Sequence, residues 1–146
     1  MDPALRDRWL ALAHDRVAAA GLRSGAARSR VIELLAREGQ CLVGVQEIVD
    51  RLRANGSPGS QASVYRVLDE LNGLGLVLRA RDEHGVARYE IADPQHHHHH
   101  FVDDVTGSVE PFEDPHLESA IEDAARRAGI TLTGHEIVLR GTRTTT

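Results

Sequence analysis

Five consecutive histidines, His96 to His100, lie in the interior of this chain and constrain its fold and chemistry more than any other segment. If the segment is extended, its side chains alternate between two faces, so that His97 and His99 point one way and His98 and His100 the other. Two histidines two residues apart on a strand can ligate one ion, and imidazole suits zinc, iron, nickel and copper. The run therefore predicts two metal sites on one strand, with a solvated histidine-rich loop as the alternative.

Length and composition favour a soluble globular protein of one domain or two small ones, since the 146 residues are 41% hydrophobic. The sequence has no apolar run near the roughly 20 residues that cross a bilayer, and residues 1–12 carry charges where a signal peptide is apolar. We therefore expect a cytoplasmic protein without a membrane partner. The single cysteine, Cys41, excludes an intrachain disulfide and any zinc site made of several cysteines.

Charge is distributed unevenly along the chain. Residues 1–90 hold 13 Arg and 12 acidic residues, a balance of +1, whereas residues 91–146 hold 4 Arg and 10 acidic residues, a balance of -6. Patterned arginines in a near-neutral segment can contact phosphates, while an acidic segment repels DNA and attracts cations. The two parts are therefore expected to divide DNA binding and metal binding between them.

Helical periodicity followed by strand periodicity predicts a winged helix-turn-helix domain over residues 1–91. The predicted helices span residues 3–20, 23–37, 45–54 and 61–71, and Ser24 and Ser60 are candidate N-caps of the second and fourth. The period then changes to two, so that residues 77–81 and 86–91 predict a β-hairpin. In a winged helix the last helix enters the major groove and the hairpin flanks the adjacent backbone.

The rest of the chain predicts a hinge linker over residues 92–95 and a small α/β domain over residues 96–146. Its predicted elements are strands over residues 97–103, 108–112 and 131–140 and a helix over residues 116–128. A unit of about 45 residues is short for independent stability, so we expect it to dimerise. The predicted fold class is thus α+β, a winged helix followed by a small α/β dimerisation domain.

Polar residues near the start of the fourth predicted helix are candidates for DNA contact. Gln pairs with adenine, and Arg with guanine or with phosphate. The candidates on this helix are Gln61, Ser63, Tyr65 and Arg66. Candidate phosphate contacts elsewhere are Arg28 and Arg30 in the second helix and Arg79, Arg81 and Arg88 in the hairpin. A solvated helix face and ordinary surface arginines are the alternative interpretation of these positions.

Five segments taken in order carry a family resemblance: RSGAARSRVIELL, SVYRVLDELNGLGLV, ARYEIADPQHHHHHF, GSVEPFEDPHLESAI and GITLTGHEIVLRG. Together they resemble the ferric uptake regulator (Fur) family, which includes zinc, iron, manganese, nickel and peroxide sensors. The resemblance implies a homodimer that binds a palindromic double-stranded DNA operator when loaded with metal and represses transcription. A regulator of the zinc uptake type is the subtype that we favour.

The resemblance also implies two metal sites. The first would use His97, His99, Glu118 and His135. The second, at the hinge between the domains, would use Glu90, His98 and His100, with Cys41 as the fourth ligand. Glu83, His84 and Asp93 compete with Cys41 for that role, and a lone cysteine is often just a small buried apolar residue.

One departure from the family concerns a structural zinc site that many members build from two CxxC pairs. The positions of the first pair are occupied here by Asp103 and Thr106, and the C-terminal tail has no cysteine. We therefore expect that site to be absent. A further family ligand position is occupied by Pro111, which cannot coordinate a metal, although Glu110 lies next to it.

Zinc is the expected effector because the implied sites are rich in nitrogen ligands, with Fe(II) and Mn(II) as alternatives. An iron-dependent peroxide sensor of the same family is an alternative function. A zinc hydrolase and a metal-storage protein are alternatives from other classes, but neither uses a winged helix. We expect no enzymatic activity and no organic small-molecule substrate.

Overall fold

The computed structural model describes residues 3–23, 25–38, 41–57, 59–82, 84–92 and 98–144, with the backbone alone at residue 38. The chain divides into two compact units, an N-terminal unit of residues 1–94 and a C-terminal unit of residues 95–146. Their mixture of helices with two small sheets confirms the predicted α+β class. Among the described residues, none of the helices combines the length and apolar composition that a membrane span requires.

The N-terminal unit holds four helices and a three-stranded sheet. Its elements are α1 (Pro3–Ala19), α2 (Ala26–Glu38), β1 (Val43–Gly44), α3 (Val45–Ala54), α4 (Gln61–Gly73), β2 (Val77–Arg81) and β3 (Ala87–Ile91). Helix α3 and strand β2 have the predicted bounds. The second helix begins three residues later than predicted, and its candidate cap Ser24 lies outside the described residues.

The core of this unit is built from the apolar positions that recur at helical spacing. Leu35 of α2, Ile48 of α3 and Leu68 of α4 are fully buried, and Val77 and Tyr89 from the sheet join them. Each fully buried large apolar side chain contributes about 1.5–3 kcal/mol relative to exposure. The N-terminal unit therefore has a closed core of its own, which holds α4 against the sheet.

The sheet order is β1-β3-β2, with both pairings antiparallel. The hairpin that joins β2 to β3 was predicted, and its turn is held by Asp82, whose Oδ1 accepts hydrogen bonds from the backbone of His84 and Val86 at 2.9 Å each. Strand β1 was not predicted, since a strand of two residues is too short to carry an alternating pattern.

Helix α4 begins where the sequence predicted, because the Ser60 hydroxyl accepts a hydrogen bond from the Ser63 backbone at 3.1 Å. It ends at Gly73, two residues beyond the predicted end. Gly75 follows with φ of +66°, a conformation that favours glycine, and a Cβ there would lie 2.9 Å from Arg16 Nη1. Only glycine fits this turn without displacing Arg16.

Side chains of helix α1 donate hydrogen bonds to backbone carbonyls of the turn between α4 and β2. The indole Nε1 of Trp9, which is buried, donates to the Leu76 oxygen at 2.8 Å, and the backbone nitrogen of Ala92 donates to the same oxygen at 2.9 Å. Arg16 Nη1 donates to the Leu74 oxygen at 2.7 Å. The first helix therefore meets the end of α4, the start of β2 and the residue after β3 at one point.

The C-terminal unit contains β4 (His99–Asp103), β5 (Val109–Phe112), α5 (Pro115–Arg127) and β6 (Val138–Gly141). The sheet order is β5-β4-β6, in which β5 is antiparallel to β4 and β6 is parallel to it. Helix α5 lies between β5 and β6 in the chain, as a parallel connection requires.

The predicted strand over residues 131–140 was wrong for residues 131–137, which form no strand. Pairing with β4 begins at Val138, which lies opposite His100, and the Ile137 oxygen accepts a hydrogen bond from the His100 backbone at 3.0 Å. His135 therefore reaches its neighbours from an irregular segment.

We predict that Trp9→Phe lowers the free energy of unfolding by about 1–3 kcal/mol, because the buried donor to Leu76 is lost and phenyl is smaller than indole. Urea denaturation followed by circular dichroism measures this change. Trp9→Ala is the comparison, since it also removes the packing and should cost about 3–5 kcal/mol. A Phe variant as stable as the wild type would show that the hydrogen bond contributes nothing.

Candidate metal and DNA-binding sites

Three predicted ligands come together in the C-terminal unit. Glu118 Oε1 lies 2.5 Å from His99 Nε2, and Glu118 Oε2 lies 3.1 Å from His135 Nε2. The potential ligand atoms of the three residues all lie within 4.8 Å of one another. Two imidazoles and a carboxylate at this spacing form a donor set of the kind that binds zinc.

Different elements deliver these side chains. His99 is the first residue of β4 and is 1% exposed, with its ring centroid 5.2 Å from that of His135. Glu118 lies in the first turn of α5, where the Asp114 carboxylate caps the helix by accepting from the backbone of His116 at 2.9 Å. The cap fixes where α5 starts and therefore where Glu118 points.

The electrostatics of Glu118 suit a metal ligand. Burial raises the pKa of this carboxyl, but its hydrogen bonds and electrostatic interaction with His99 and His135 lower it by more, so the net pKa lies below its ordinary value. Glu118 is therefore an anion at neutral pH, the state that coordination requires. His97, the fourth ligand implied for this site, lies outside the described residues.

The next histidines along the chain form a second pair. The ring centroids of His98 and His100 lie 5.1 Å apart, with the ring planes at 74°, while His99 between them contacts Glu118. This arrangement is the alternation that an extended segment predicts. His100 is 3% exposed, so one of the two imidazoles is held away from bulk solvent.

Within the N-terminal unit, two further predicted ligands are neighbours. Cys41 Sγ donates to Glu90 Oε2 at 3.7 Å, and Glu90, on β3, is 4% exposed. Burial, the Glu90 charge and this hydrogen bond raise the pKa of the Cys41 thiol to about 12. Of the competing ligands, Glu83 and Asp93 lie outside the described residues, and His84 belongs to the exposed hairpin turn.

The predicted DNA-reading face of α4 is largely exposed. Gln61, Tyr65 and Arg66 are exposed, and the Tyr65 ring packs edge-on against buried Tyr89 with centroids 6.4 Å apart. Ser63 is half-buried and takes part in the helix cap, since its hydroxyl donates to the Ser60 carbonyl oxygen at 3.0 Å. Three of the four candidates on this helix therefore present their side chains to solvent.

Arg28, one of the candidate phosphate contacts, pairs with a carboxylate of the same unit. Its Nη2 and Nε atoms lie 2.7 and 3.0 Å from Glu70 Oε2, and its side chain is only 14% exposed. Arg28 therefore links α2 to α4, and its contact with phosphate stays a prediction. The pairing joins residues 42 positions apart, so the sequence offered no signal for it.

The three hairpin arginines also have neighbours within the unit. Arg79 lies 3.2 Å from Asp69 on α4, Arg81 donates to the Gly85 carbonyl, and Arg88 pairs with Asp82 at 3.1 Å. Asp69 was not singled out from the sequence. The one available signal was its position four residues after Tyr65, which places both on one side of α4.

Asp103 and Thr106, which occupy the positions of the family's first cysteine pair, form hydrogen bonds within a turn. Asp103 Oδ1 accepts hydrogen bonds from the backbone of Val105 at 2.8 Å and of Thr106 at 3.1 Å, and Thr106 donates to Ser108. This turn after β4 is thus closed by hydrogen bonds within the chain. Such a turn has no need of a metal to hold its shape.

Comparison with known proteins identifies the family of this chain. Residues 19–140 match the sequence model of the ferric uptake regulator family. The ferric uptake regulation protein of Pseudomonas aeruginosa is 32% identical over 120 residues, which are 82% of this chain and 89% of the relative.

Two solved structures extend the comparison to the fold. The Vibrio cholerae ferric uptake regulator shares 30% identity with a TM-score of 0.79, covering 87% of this chain and 96% of that one. A Pseudomonas aeruginosa ferric uptake regulator solved with manganese shares 28% identity with a TM-score of 0.75, covering 90% and 98%. The chain therefore belongs to the ferric uptake regulator family, whose members are metal-responsive transcription regulators and not enzymes.

Proposed function

We propose that this protein is a metal-dependent repressor of metal homeostasis genes, which binds a palindromic DNA operator as a homodimer when loaded with metal. The observation that supports this proposal best is the division of the histidine segment. His99 joins Glu118 and His135, while His98 and His100 lie together. One short stretch of chain thus offers ligands to two coordination sites, in a family of metal-responsive regulators.

The first proposed site consists of His99, Glu118 and His135, with His97 as a further ligand. An ion bound there would link β4, the start of α5 and the irregular segment before β6. These three parts of the unit share little apolar packing, because Ala125 is its only buried apolar side chain among the described residues. We assign this site to stabilising the C-terminal unit.

The second proposed site takes His98 and His100 from the C-terminal unit and Glu90 and Cys41 from the N-terminal unit. Each pair is already assembled within its own unit, and a shared ion would favour one relative orientation out of an ensemble. A shift of that ensemble from 1:99 to 99:1 requires a difference in metal affinity worth about 5.5 kcal/mol. Metal would thereby set the spacing of the two α4 helices in a dimer.

Zinc is the metal that we propose for both sites, since neutral imidazole and a thiolate are ligands that it prefers. Fe(II) and Mn(II) accept the same nitrogen and oxygen donors, and one relative was solved with manganese. An iron-dependent peroxide sensor is the second candidate function, because iron held by histidines would satisfy the same sites. Metal content after purification under anaerobic conditions separates the two.

DNA reading is assigned to α4, with Gln61, Tyr65 and Arg66 in the major groove and Ser63 fixing the start of the helix. These side chains lie at the N-terminal half of the helix, which in a helix-turn-helix protein contacts the base edges. The exposed faces support the assignment, since Gln61, Tyr65 and Arg66 are exposed while the opposite side of α4 is buried.

Dimerisation is assigned to the C-terminal unit. Its edge strand β6 exposes Val138 by 41% and Leu139 by 49%, and Ile130 and Leu132 nearby are 59% and 39% exposed. An exposed apolar edge strand invites pairing with another chain. We propose that a second copy of this chain covers it.

The function is tested first by metal-dependent DNA binding. We predict that His98→Ala and His100→Ala abolish the gain in operator affinity that zinc confers on the wild type, because each removes a proposed ligand that couples the units. Electrophoretic mobility shift with zinc or a chelator measures the gain, on a duplex that the metal-loaded wild type enriches from a random-sequence library.

His116→Ala is the matched control, since His116 is exposed and lies outside both donor groups. It should leave the zinc response intact. A wild-type protein whose DNA affinity is the same with and without every candidate metal would refute the proposed function.

We predict that Leu139→Asp converts the dimer to a monomer at micromolar concentration, because a carboxylate would be buried in the proposed interface without a partner. Sedimentation velocity measures the mass. Val105→Asp is the comparison, because Val105 is 78% exposed but lies in the turn after β4 and not in β6, and it should remain dimeric. An unchanged dimer in the Leu139 variant would place the interface elsewhere.

We predict that Cys41 in the native, metal-free protein reacts with iodoacetamide at pH 8 about a thousandfold more slowly than in the denatured protein. The thiol pKa of about 12, against 9.0 for an ordinary cysteine, lowers the reactive thiolate fraction by that factor. Glu90→Gln should speed the reaction, because it removes the neighbouring negative charge. Mass spectrometry of the alkylated peptide gives the rates, and equal native and denatured rates would contradict the prediction.

A further inference from the structure

A small charged cluster on the proposed DNA-reading surface has no role in the function described so far. Asp69 of α4 and Arg79 of β2 form an ion pair, with Oδ1 and Nη1 3.2 Å apart. Both side chains remain open to solvent, at 47% and 38% exposure. The cluster thus places a carboxylate within the surface that would meet the phosphates.

Tyr89 locates this ion pair relative to the recognition residues. It is fully buried, lies directly opposite Arg79 in the β2–β3 register, and packs edge-on beneath Tyr65. Tyr65, Asp69 and Arg79 therefore surround one fixed ring, and we call these three residues the reading patch. Because Tyr65 and Asp69 are four residues apart, they lie on the same side of α4.

The ion pair in the reading patch is of the weak kind. Ion pairs between exposed side chains contribute little free energy, because water screens the two charges and both side chains lose conformational entropy. The Arg28–Glu70 pair differs, because Arg28 is 14% exposed and makes two contacts to one carboxylate oxygen. Arg79 is thus held loosely enough to exchange Asp69 for another anion.

Binding to DNA of random sequence depends on the number of arginines and lysines that reach phosphates. Because Asp69 lies beside Arg79, the pair has little net positive charge to attract a phosphate of random DNA. The carboxylate of Asp69 also repels the DNA backbone. Non-specific binding would be weakened by both effects. Binding to the operator would suffer less, since base contacts and a fixed docking geometry add to it.

We propose that Asp69 is a specificity-determining residue, which lowers the affinity for random DNA by neutralising Arg79 within the reading patch. The inference rests on the proposed function, in which α4 reads the major groove. In addition, Asp69 would weaken binding to DNA sites that contact the protein only through phosphates.

Asp69→Asn tests the proposal in the full-length, zinc-loaded protein. The probes are a 40-base-pair duplex of random sequence and the duplex that the wild type enriches from a random library. We expect the variant to bind the random duplex about fivefold more tightly at low salt, through one additional phosphate contact. The slope of log affinity against log salt concentration should become steeper by about 0.9. This change adds a roughly threefold loss of affinity between 50 and 200 mM salt. The ratio of operator to random affinity should fall.

Two further variants make the result specific to the ion pair. Glu33→Gln removes the same charge from an exposed position on α2 and should leave the salt slope as in the wild type. Asp69→Asn combined with Arg79→Ala should lose the steeper slope, because no arginine is left to gain the phosphate. Circular dichroism confirms that each variant is folded at the temperature of the assay.

The outcomes separate this inference from the function on which it rests. An unchanged salt slope and unchanged random-duplex affinity in Asp69→Asn would overturn the inference while the wild type still bound its operator. Weaker binding of the random duplex by that variant would overturn it as well. A wild type that binds neither duplex under any metal would overturn the proposed function and the inference with it.

Discussion

Alternation of side chains along β4 and the residue before it is the constraint on which both proposed metal sites depend. The backbone turns His99 toward Glu118 and His135, and it turns His98 and His100 together to another side. A shift of β4 by one residue in its register with β5 would exchange the two sets. The pairing of His99 with Phe112 and of Phe101 with Glu110 therefore decides which imidazole enters which site.

The two units differ in how they are held together. The N-terminal unit has a closed apolar core built from its four helices and its hairpin. Among the described residues of the C-terminal unit, Ala125 is the one buried apolar side chain. In the C-terminal unit, the polar contacts of Glu118 and the capped start of α5 therefore account for more of the contacts that hold the elements together. An ion bound at the first proposed site would add to the few contacts that hold this unit together.

Sequence patterns predicted what is local, and failed where distant residues meet. The N-cap at Ser60, the hairpin turn at Asp82 and the helix over 45–54 follow from short-range rules of periodicity and capping. The grouping of His99 with Glu118 and His135 was implied by the family resemblance alone. By contrast, the Arg28–Glu70 and Asp69–Arg79 pairs depend on how distant elements pack, and pairing of β6 with β4 begins only at Val138. Those features are set by tertiary register, which one sequence does not display.

The hydrogen bond between Trp9 and the Leu76 carbonyl has a practical consequence for following this molecule in solution. Its indole donor, Trp9, is the only tryptophan in the chain and is 2% exposed. Ultraviolet excitation therefore gives an emission signal that originates from a single interior location. A red shift of that emission would report water entering between the first helix and the hairpin, so loosening of this contact can be timed without attaching a dye.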